Sequence, residues 1–418
     1  MFETLLHTPE GVRDIYGKEY EIKSYVQNAI HHVMKLHGFC DIQTPTFEFF
    51  DIFNKERGTL ASRDMYKFFD KEGNTLVLRP DITPSIARCV AKYFKDEVLP
   101  IRLSYIGNTF INKSSYQGKL KESTQIGAEL LNDDSKACDA EIIALTIKCL
   151  LAAGLKEFQV EIGEADFFRG LVSEASFDEE EEEQLRILIQ NKNIFGVEEL
   201  IQSKNISDGL KEVFLQLPKL FGNQEILAMA KKLTKNQRAL NAINRLEEIY
   251  NILEIYGLSQ YITFDLGMLN KYNYYTGIIF NAYTYGTGEA IAGGGRYDNL
   301  VGQFGKPAKA IGLGILVDQL MLALTRQKIE FEQDNEKTII LYEKELLKHA
   351  ILLANHFRST DMMVELISKE DNRIVDDYIS YGNRNQVGGI LYYKSVEEIL
   401  VINCLTGEKH LASVKDFM

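Results

Sequence analysis

The chain has 418 residues, of which 45% are hydrophobic and 26% charged, proportions that indicate an ordinary folded protein with a large core. Its formal net charge is −13 at pH 7, whereas nucleic-acid-binding proteins typically carry a basic surface. The five scattered cysteines contain no C-x-x-C pair, the first residues lack the apolar core of a signal peptide, and Asp318 interrupts the most apolar run, so we expect a cytoplasmic protein with reduced thiols and no membrane span.

The first part of the chain predicts helices and strands arranged around a sheet. Residues 17–38 have the periodicity of an amphipathic helix, and DIQTPTFEFFDIF has a strand pattern with Pro45 at an edge. Leu76–Leu78 predicts a short strand that leads into a helix with Asp81 as its N-cap. LPIRLSYIGNTFI and STQIGAELLN predict paired antiparallel strands around a loop at 112–121. The helix ACDAEIIALTIKCLLAAGL and the strand FQVEIGE follow.

The composition changes near residue 168, and the pattern is almost entirely helical to about residue 258. We interpret residues 168–258 as an insertion into one domain, because strand patterns return in ITFDLGML, NYYTGIIFNAYTY and EAIAGGGRYDNLV. A helix is predicted from Ile311 to Thr325. The predicted domains are therefore a core at 1–325, a polar linker at 326–336, and a small α/β domain at 337–418, in which strands alternate with helices.

The usual catalytic groups are missing from most of the chain. All seven histidines lie at or before residue 37 or at or after residue 349, so the segment between them cannot supply a Ser-His-Asp or Cys-His unit. A histidine-based zinc site is not expected there either. GGGRYD (293–298) lacks the G-x-x-x-x-G-K-[ST] pattern of a P-loop and is not followed by a dinucleotide-binding helix. We therefore expect no metal and no cofactor.

Two groups of polar and aromatic residues are candidates for a ligand pocket. YNYYTGIIFNAYTY carries five tyrosines, and strand alternation places neighbouring ones on opposite faces, so they either pack in the core or line a pocket. Gln125 and Glu129 lie four residues apart and therefore share one face of a strand. Asp81 and Thr83 lie at a predicted junction between a strand and a helix. These residues form a site only if the fold brings them together.

The order of several motifs resembles that of histidyl-tRNA synthetases and their paralogues. These motifs are TPEGVRD, GFCDIQTPTFE, LRPDIT, YIGNTF…TQIGAELL, NYYTG, GGGRYDNLV and AIGLGI, and they cover residues 8–325. The resemblance implies an α+β fold of the class II aminoacyl-tRNA synthetase type, with an antiparallel sheet flanked by helices. It also implies a homodimer through motif 1, which ends at Pro45. Residues 168–258 are similar to the helical insertion of that family, and residues 337–418 resemble its anticodon-binding domain.

The resemblance fails where amino-acid activation requires positive charge on the phosphates of ATP. The three arginines that supply this charge in the family fall at Ile111, Asn270 and Gln319 of this chain. The loss of one preorganised donor typically lowers the rate by about 10²–10³. We therefore expect a protein that is not an enzyme.

The part of the pocket that holds the amino acid is retained. In the family, the positions of Glu129 and Tyr275 hold the imidazole of histidine, which needs a hydrogen-bond acceptor for one ring N–H. Without the lost arginines, we expect histidine to bind weakly, to bind in another orientation, or to place its carboxylate on Arg79, Arg296 or a backbone N–H. The predicted histidine-binding residues are Asp81, Thr83, Gln125, Glu129, Tyr274, Tyr275 and Tyr297.

A synthetase-like body that keeps histidine recognition but loses adenylation resembles the regulatory subunits of ATP phosphoribosyltransferase. In that system the subunit joins a short-form catalytic chain in a hetero-octamer at the first step of histidine biosynthesis. It is required for activity and transmits feedback inhibition by histidine. Two alternatives stay open, a divergent histidyl-tRNA synthetase and a free-standing histidine-binding paralogue. The acidic balance makes a nucleic-acid partner unexpected, although the C-terminal domain, which the shortest regulatory subunits lack, keeps the synthetase alternative open.

Overall fold

The computed structural model describes residues 6–53, 60–113, 120–268, 275–331 and 337–418. The predicted positions Asn270 and Tyr274 lie outside these ranges. The chain divides into two units, Met1–Ile329 and Glu330–Met418. No helix in the described ranges is long and apolar enough to cross a lipid bilayer.

The first unit is built on one large sheet. Its described strands are β1 (Cys40–Asp41), β2 (Phe47–Phe49), β3 (Lys67–Phe69), β4 (Thr75–Leu78), β5 (Ile101–Phe110), β6 (Glu122–Leu131), β7 (Gln159–Glu164), β8 (Phe221–Gly222), β9 (Ile262–Asp265), β10 (Ile278–Tyr283), β11 (Ala292–Arg296) and β12 (Ala310–Leu316). The large sheet has the order β1-β5-β6-β12-β11-β10-β7-β9-β8, and β2-β4-β3 form a small sheet. The pairs β1–β5 and β7–β9 are parallel, whereas the other pairs of this unit are antiparallel.

Helices pack on this sheet and also form the inserted block. The described α-helices of the unit are α1 (Gly17–Leu36), α2 (Thr83–Tyr93), α3 (Lys136–Ala152), α4 (Ala165–Ala175), α5 (Glu179–Gln190), α6 (Ile194–Gln202), α7 (Asp208–Gln216), α8 (Glu225–Leu233), α9 (Gln237–Ile255) and α10 (Val317–Arg326). Helix α3 contacts β12, while α1 and α10 contact β6. Most residues of α3 are buried, as expected for a helix that is apolar on every side.

Strand alternation gives the large sheet two faces of different composition. One face is covered by α3, and we call it the helix face. On this face, Ile126, Ala128 and Leu130 of β6 are fully buried. On the other face, Gly127 lies between Gln125 and Glu129. The neighbouring strands continue that face with glycines, and we call it the glycine face. Its glycines on β5, β6, β12 and β11 are Gly107, Gly127, Gly293, Gly295, Gly312 and Gly314.

Two boundaries near the candidate site differ from the predictions. The predicted helix Ile311–Thr325 is wrong in its first part, because Ala310–Leu316 is a strand paired with both β6 and β11. A short apolar run is compatible with either a buried strand or a helix, so its sequence alone did not decide. Asp81 is not the N-cap of α2, which is Ile82. Its Oδ1 instead accepts the backbone N–H of Ile82 at 2.7 Å, just before the helix begins.

The second unit is a mixed α/β domain. Its described strands and helices are β13 (Thr338–Tyr342), α11 (Leu347–Ser359), β14 (Val364–Ser368), α12 (Val375–Arg384), β15 (Gly389–Tyr393), β16 (Glu398–Asn403) and β17 (Lys409–Ser413). The sheet order is β14-β13-β15-β16-β17. Ile340 of β13 packs with α11, whereas its neighbours Ile339 and Leu341 pack with Tyr378 of α12, so the two helices cover opposite faces.

Candidate ligand site

Glu129 is a buried carboxyl group on the glycine face. Its side chain is only 1% exposed. Oε1 accepts a hydrogen bond from the Thr83 hydroxyl at 2.8 Å, and Oε2 accepts one from the Tyr297 hydroxyl at 2.5 Å. Burial raises the pKa of Glu129 to about 8, although both hydrogen bonds act in the opposite direction. The carboxyl group is therefore largely neutral at pH 7 and can exchange a proton with a ligand.

The glycines opposite Glu129 provide the space that its side chain occupies. Gly312 pairs with Glu129 across the strands, and a Cβ atom there would lie 1.8 Å from Oε2 of Glu129. At Gly314, a Cβ atom would lie 2.3 Å from Nε2 of Gln125. Side chains of β6 thus extend over the backbone of β12, which a larger residue would prevent.

Tyr105 is a residue of this site that the sequence analysis did not single out. Its hydroxyl accepts a hydrogen bond from Nε2 of Gln125 at 3.0 Å. The ring lies over Gly127, where a Cβ atom would be 2.3 Å from its oxygen. Burial raises the pKa of Tyr105 well above the usual value for tyrosine, and the nearby Glu129 adds to the effect. The register of the β5–β6 pair, which places Tyr105 opposite Gly127, is the signal that could have identified it.

The structure brings the predicted residues together to different degrees. Thr83 and Tyr297 bond directly to Glu129, and Gln125 is joined to the same region through Tyr105. Tyr275 packs against the core cluster that contains Tyr105 and Tyr297, with its ring against Gly295. The carboxylate of Asp81 binds the amides at the start of α2, and its charge contributes to the raised pKa of Glu129.

Both arginines that the sequence suggested as partners for a ligand carboxylate make several bonds within the protein. Arg79 is buried and donates from Nε to the carbonyl of Asn108 at 2.8 Å and from Nη1 to that of Thr44 at 2.8 Å. Arg296 binds Oδ1 of Asp139 through Nε at 2.9 Å and Nη2 at 2.6 Å. These guanidinium groups fix neighbouring segments of the chain.

The two described positions of the lost arginines present no cation. Ile111 lies just after β5, and its backbone N–H donates to the carbonyl of Lys121 at 2.8 Å. Gln319 lies in the first turn of α10, beside Asp318, which accepts the amide of Thr124 and an ion pair from Lys23. No group of three or more possible metal-binding side chains occurs among the described residues.

Comparisons with known proteins agree on the fold of this chain. The family model "Histidyl-tRNA synthetase" matches residues 11–320. A crystal structure described as an ATP phosphoribosyltransferase regulatory subunit/histidyl-tRNA synthetase from Bacillus halodurans has a TM-score of 0.83 and 33% sequence identity, covering 93% of this chain and 98% of that one. Histidyl-tRNA synthetase from Nostoc has a TM-score of 0.81 at 18% identity, covering 99% and 98% of the two chains, which shows the fold alone. The predicted class II synthetase-like fold is confirmed.

One curated relative matches from end to end. The ATP phosphoribosyltransferase regulatory subunit of Acetivibrio thermocellus is 40% identical over 419 residues, covering 100% of both chains. The match therefore includes the C-terminal unit as well as the synthetase-like body.

Proposed function

The chain belongs to the family of ATP phosphoribosyltransferase regulatory subunits, and we propose that it activates a short-form catalytic chain and inhibits it when histidine is bound. The observation that carries this proposal is the hydrogen-bonded carboxyl of Glu129. Ile111 and Gln319 occupy positions where the resemblance to synthetases implies catalytic arginines. The relative that matches this chain from end to end is named an ATP phosphoribosyltransferase regulatory subunit, which supports the regulatory role over the two alternatives. Because that match includes the C-terminal unit, the presence of a C-terminal domain does not argue against a regulatory subunit.

In this proposal, the imidazole ring of a bound histidine contacts the carboxyl group of Glu129. The carboxyl is held by Thr83 and Tyr297, so it presents a fixed partner to a ring nitrogen. Glu129 has a pKa of about 8 and free imidazole one of about 6.5, so a single proton can be shared between the two groups. Gln125 and Tyr105 provide further polar atoms on the same face. This arrangement favours a ligand that can both donate and accept a proton.

The same site is proposed not to activate the amino acid. Adenylation requires donors that are preorganised for the negative charge of ATP and of the transition state. Ile111 and Gln319 supply no positive charge, while Arg79 is bound to backbone carbonyls and Arg296 to Asp139. A histidine that binds here stays unmodified, and its binding energy is available to shift the state of a partner.

The small sheet supports a homodimer. Phe47, Phe49 and Phe68 share one face of it, with exposed fractions of 53%, 55% and 37%. The ring centroids of Phe47 and Phe68 are 5.8 Å apart. We call this surface the phenylalanine face. A group of exposed aromatic side chains of this kind is typical of protein interfaces, and it follows the motif 1 segment that ends at Pro45. Two such dimers with four catalytic chains make up the proposed hetero-octamer.

Two measurements on the isolated protein test binding and activation separately. Calorimetry with L-histidine is expected to show saturable binding. ATP–pyrophosphate exchange with the same protein and histidine is expected to stay at the level of a blank without protein. Exchange above that level would identify a synthetase, and an absence of histidine binding would remove the effector from the proposal.

A further inference from the structure

Arg296 and Tyr297 are consecutive residues whose side chains lie on opposite faces of the sheet. Tyr297 contacts Glu129 on the glycine face, whereas Arg296 contacts Asp139 of α3 on the helix face. Because the two residues share a peptide bond, the position of the Arg296 backbone limits where the Tyr297 hydroxyl can lie. The helix face is thus connected to the candidate pocket through the main chain at the end of β11.

Asp139 joins Arg296 to the inserted helical block. It is completely buried, and Arg296 donates two hydrogen bonds to its Oδ1. Its Oδ2 accepts a 2.8 Å hydrogen bond from Nε of Arg245 on α9, and also binds Nη2 of that residue. Both oxygens of one carboxylate are therefore occupied by two guanidinium groups from different elements. Such charge-assisted, planar contacts fix orientation more strictly than a single ion pair does.

Arg296 also fixes the segment that carries the second pocket tyrosine. Its carbonyl accepts the backbone N–H of Thr276, next to Tyr275, at 2.6 Å. The Thr276 hydroxyl in turn accepts the backbone N–H of Asp298 at 3.0 Å, and Oδ1 of Asp298 binds Nη1 of Arg296 at 3.2 Å. The segment at Tyr275 is therefore joined to the Arg296 anchor, and Arg169 holds it as well, because its guanidinium donates to the carbonyls of Tyr275 at 2.9 Å and Thr276 at 3.0 Å.

Arg245 is the solvent-accessible end of this connection. Its side chain is 24% exposed and lines a cleft of about 450 Å³ on the helix face, together with Lys136 and Arg238. Lys136 pairs with Glu248, and Arg238 pairs with Asp166. The three cations share one cleft, but the hydrogen bonds of Arg245 are the ones that reach Asp139.

We propose that Asp139 and Arg245 are positioning residues for the histidine pocket, because they hold Arg296 and thereby set the position of Tyr297 and contribute to that of Tyr275. This inference rests on the proposed function, since it assigns a second set of residues to histidine affinity. It also makes the end of the helical insertion a place from which that affinity can be changed. Coupling through such a network is reciprocal and commonly changes affinity by about two- to thirtyfold.

The test compares three substitutions in the same cleft. Arg245→Met is expected to lower the affinity for L-histidine, measured by calorimetry, by about three- to thirtyfold. Lys136→Met removes a cation from the cleft without touching Asp139, so its affinity should stay within about twofold of wild type. Arg245→Lys, which keeps the positive charge but lacks the planar guanidinium group, should recover part of the lost affinity. Unchanged affinity in Arg245→Met, or an equal loss in Lys136→Met, would overturn the inference.

A measurement without ligand separates this inference from the proposed function. Hydrogen exchange, followed by mass spectrometry, should be faster in Arg245→Met than in Lys136→Met for peptides that cover residues 275–283 and 292–298. If wild type does not bind histidine, the proposed function fails, and the exchange rates alone then decide the positioning role. Equal exchange in the two variants would show that Arg245 does not hold these segments.

Discussion

The hydroxyl of Tyr297 donates a 2.5 Å hydrogen bond to Oε2 of Glu129, and both side chains are almost completely buried. Because Thr83 donates to the other oxygen, the carboxyl group is oriented before a ligand binds. Preorganisation of this kind reduces the conformational entropy that is lost when a ligand binds. This geometry therefore favours the binding of a ligand at the Glu129 carboxyl group.

Substitution of Glu129 should weaken histidine binding strongly. Glu129→Gln keeps the size of the side chain but removes the carboxyl group that shares a proton with the imidazole. Hydrogen bonds to charged groups contribute about 1.5–3 kcal/mol, so we expect calorimetry to show an affinity about 10- to 100-fold lower. Glu164→Gln is the matched control, because Glu164 is another buried carboxyl with a pKa of about 8 but lies on the helix face. Similar losses in both variants would remove the special role of Glu129.

Histidine affinity should be highest between about pH 6.5 and pH 8. Below the imidazole pKa of about 6.5, ligand and carboxyl are both protonated, so binding must release a proton. Above the Glu129 pKa of about 8, both are deprotonated, so binding must take one up. In Glu129→Gln the decrease on the alkaline side should disappear. Calorimetry from pH 5.5 to 9.5 measures this, and a wild-type affinity that keeps rising to pH 9.5 would contradict the shared proton.

Gly312→Ala should destabilise the first unit. Its Cβ would lie 1.8 Å from Oε2 of Glu129, so the carboxyl or the strand must move. Overpacking of a core of this kind costs about 1–3 kcal/mol, which urea unfolding can measure. Gly209→Ala in α7 is the control, because nothing lies within 4 Å of its added Cβ. That substitution should leave stability equal or higher by up to about 1 kcal/mol. Equal stability of the two variants would mean that the Glu129 side chain does not need a glycine at position 312 in order to fit.

A charge on the phenylalanine face should disrupt the proposed homodimer. Phe49→Glu places a carboxylate on a surface that we expect to be buried between two copies of the chain, where an unpaired charge is unfavourable. Light scattering after size-exclusion chromatography should then give the mass of one chain. Phe195→Glu, at a side chain that is 85% exposed on α6, should leave the mass of wild type unchanged. If Phe49→Glu elutes with the wild-type mass, the interface lies elsewhere.

The sequence predicted much of this site because its residues recur in ordered motifs. Glu129, Thr83 and Tyr297 come from distant parts of the chain, and the resemblance, rather than any local pattern, placed them together. Local periodicity did less well at AIGLGIL, which reads as a helix but forms a strand between two partners. Whether a short apolar run forms a helix or a strand that is buried on both sides depends on the strands beside it, and a window of sequence does not contain those strands.

The residues that sequence reasoning missed are those defined by register. Tyr105 joins the site because β5 and β6 pair so that it faces Gly127, and Gly312 matters because it lies opposite Glu129. The anchoring of Arg296 by Asp139 likewise depends on a contact between residues 157 positions apart. Such contacts follow from tertiary structure, since no spacing along the chain encodes them.

The most direct test of the regulatory role is the rate of phosphoribosyl transfer by a short-form catalytic chain as a function of histidine concentration. The rate is measured with no addition, with the wild-type protein and with Glu129→Gln. We predict that both proteins activate the catalytic chain, and that histidine inhibits the complex with Glu129→Gln only at about 10- to 100-fold higher concentration than the wild-type complex. A catalytic chain whose rate does not respond to the wild-type protein, or equal histidine sensitivity of the two complexes, would contradict the account.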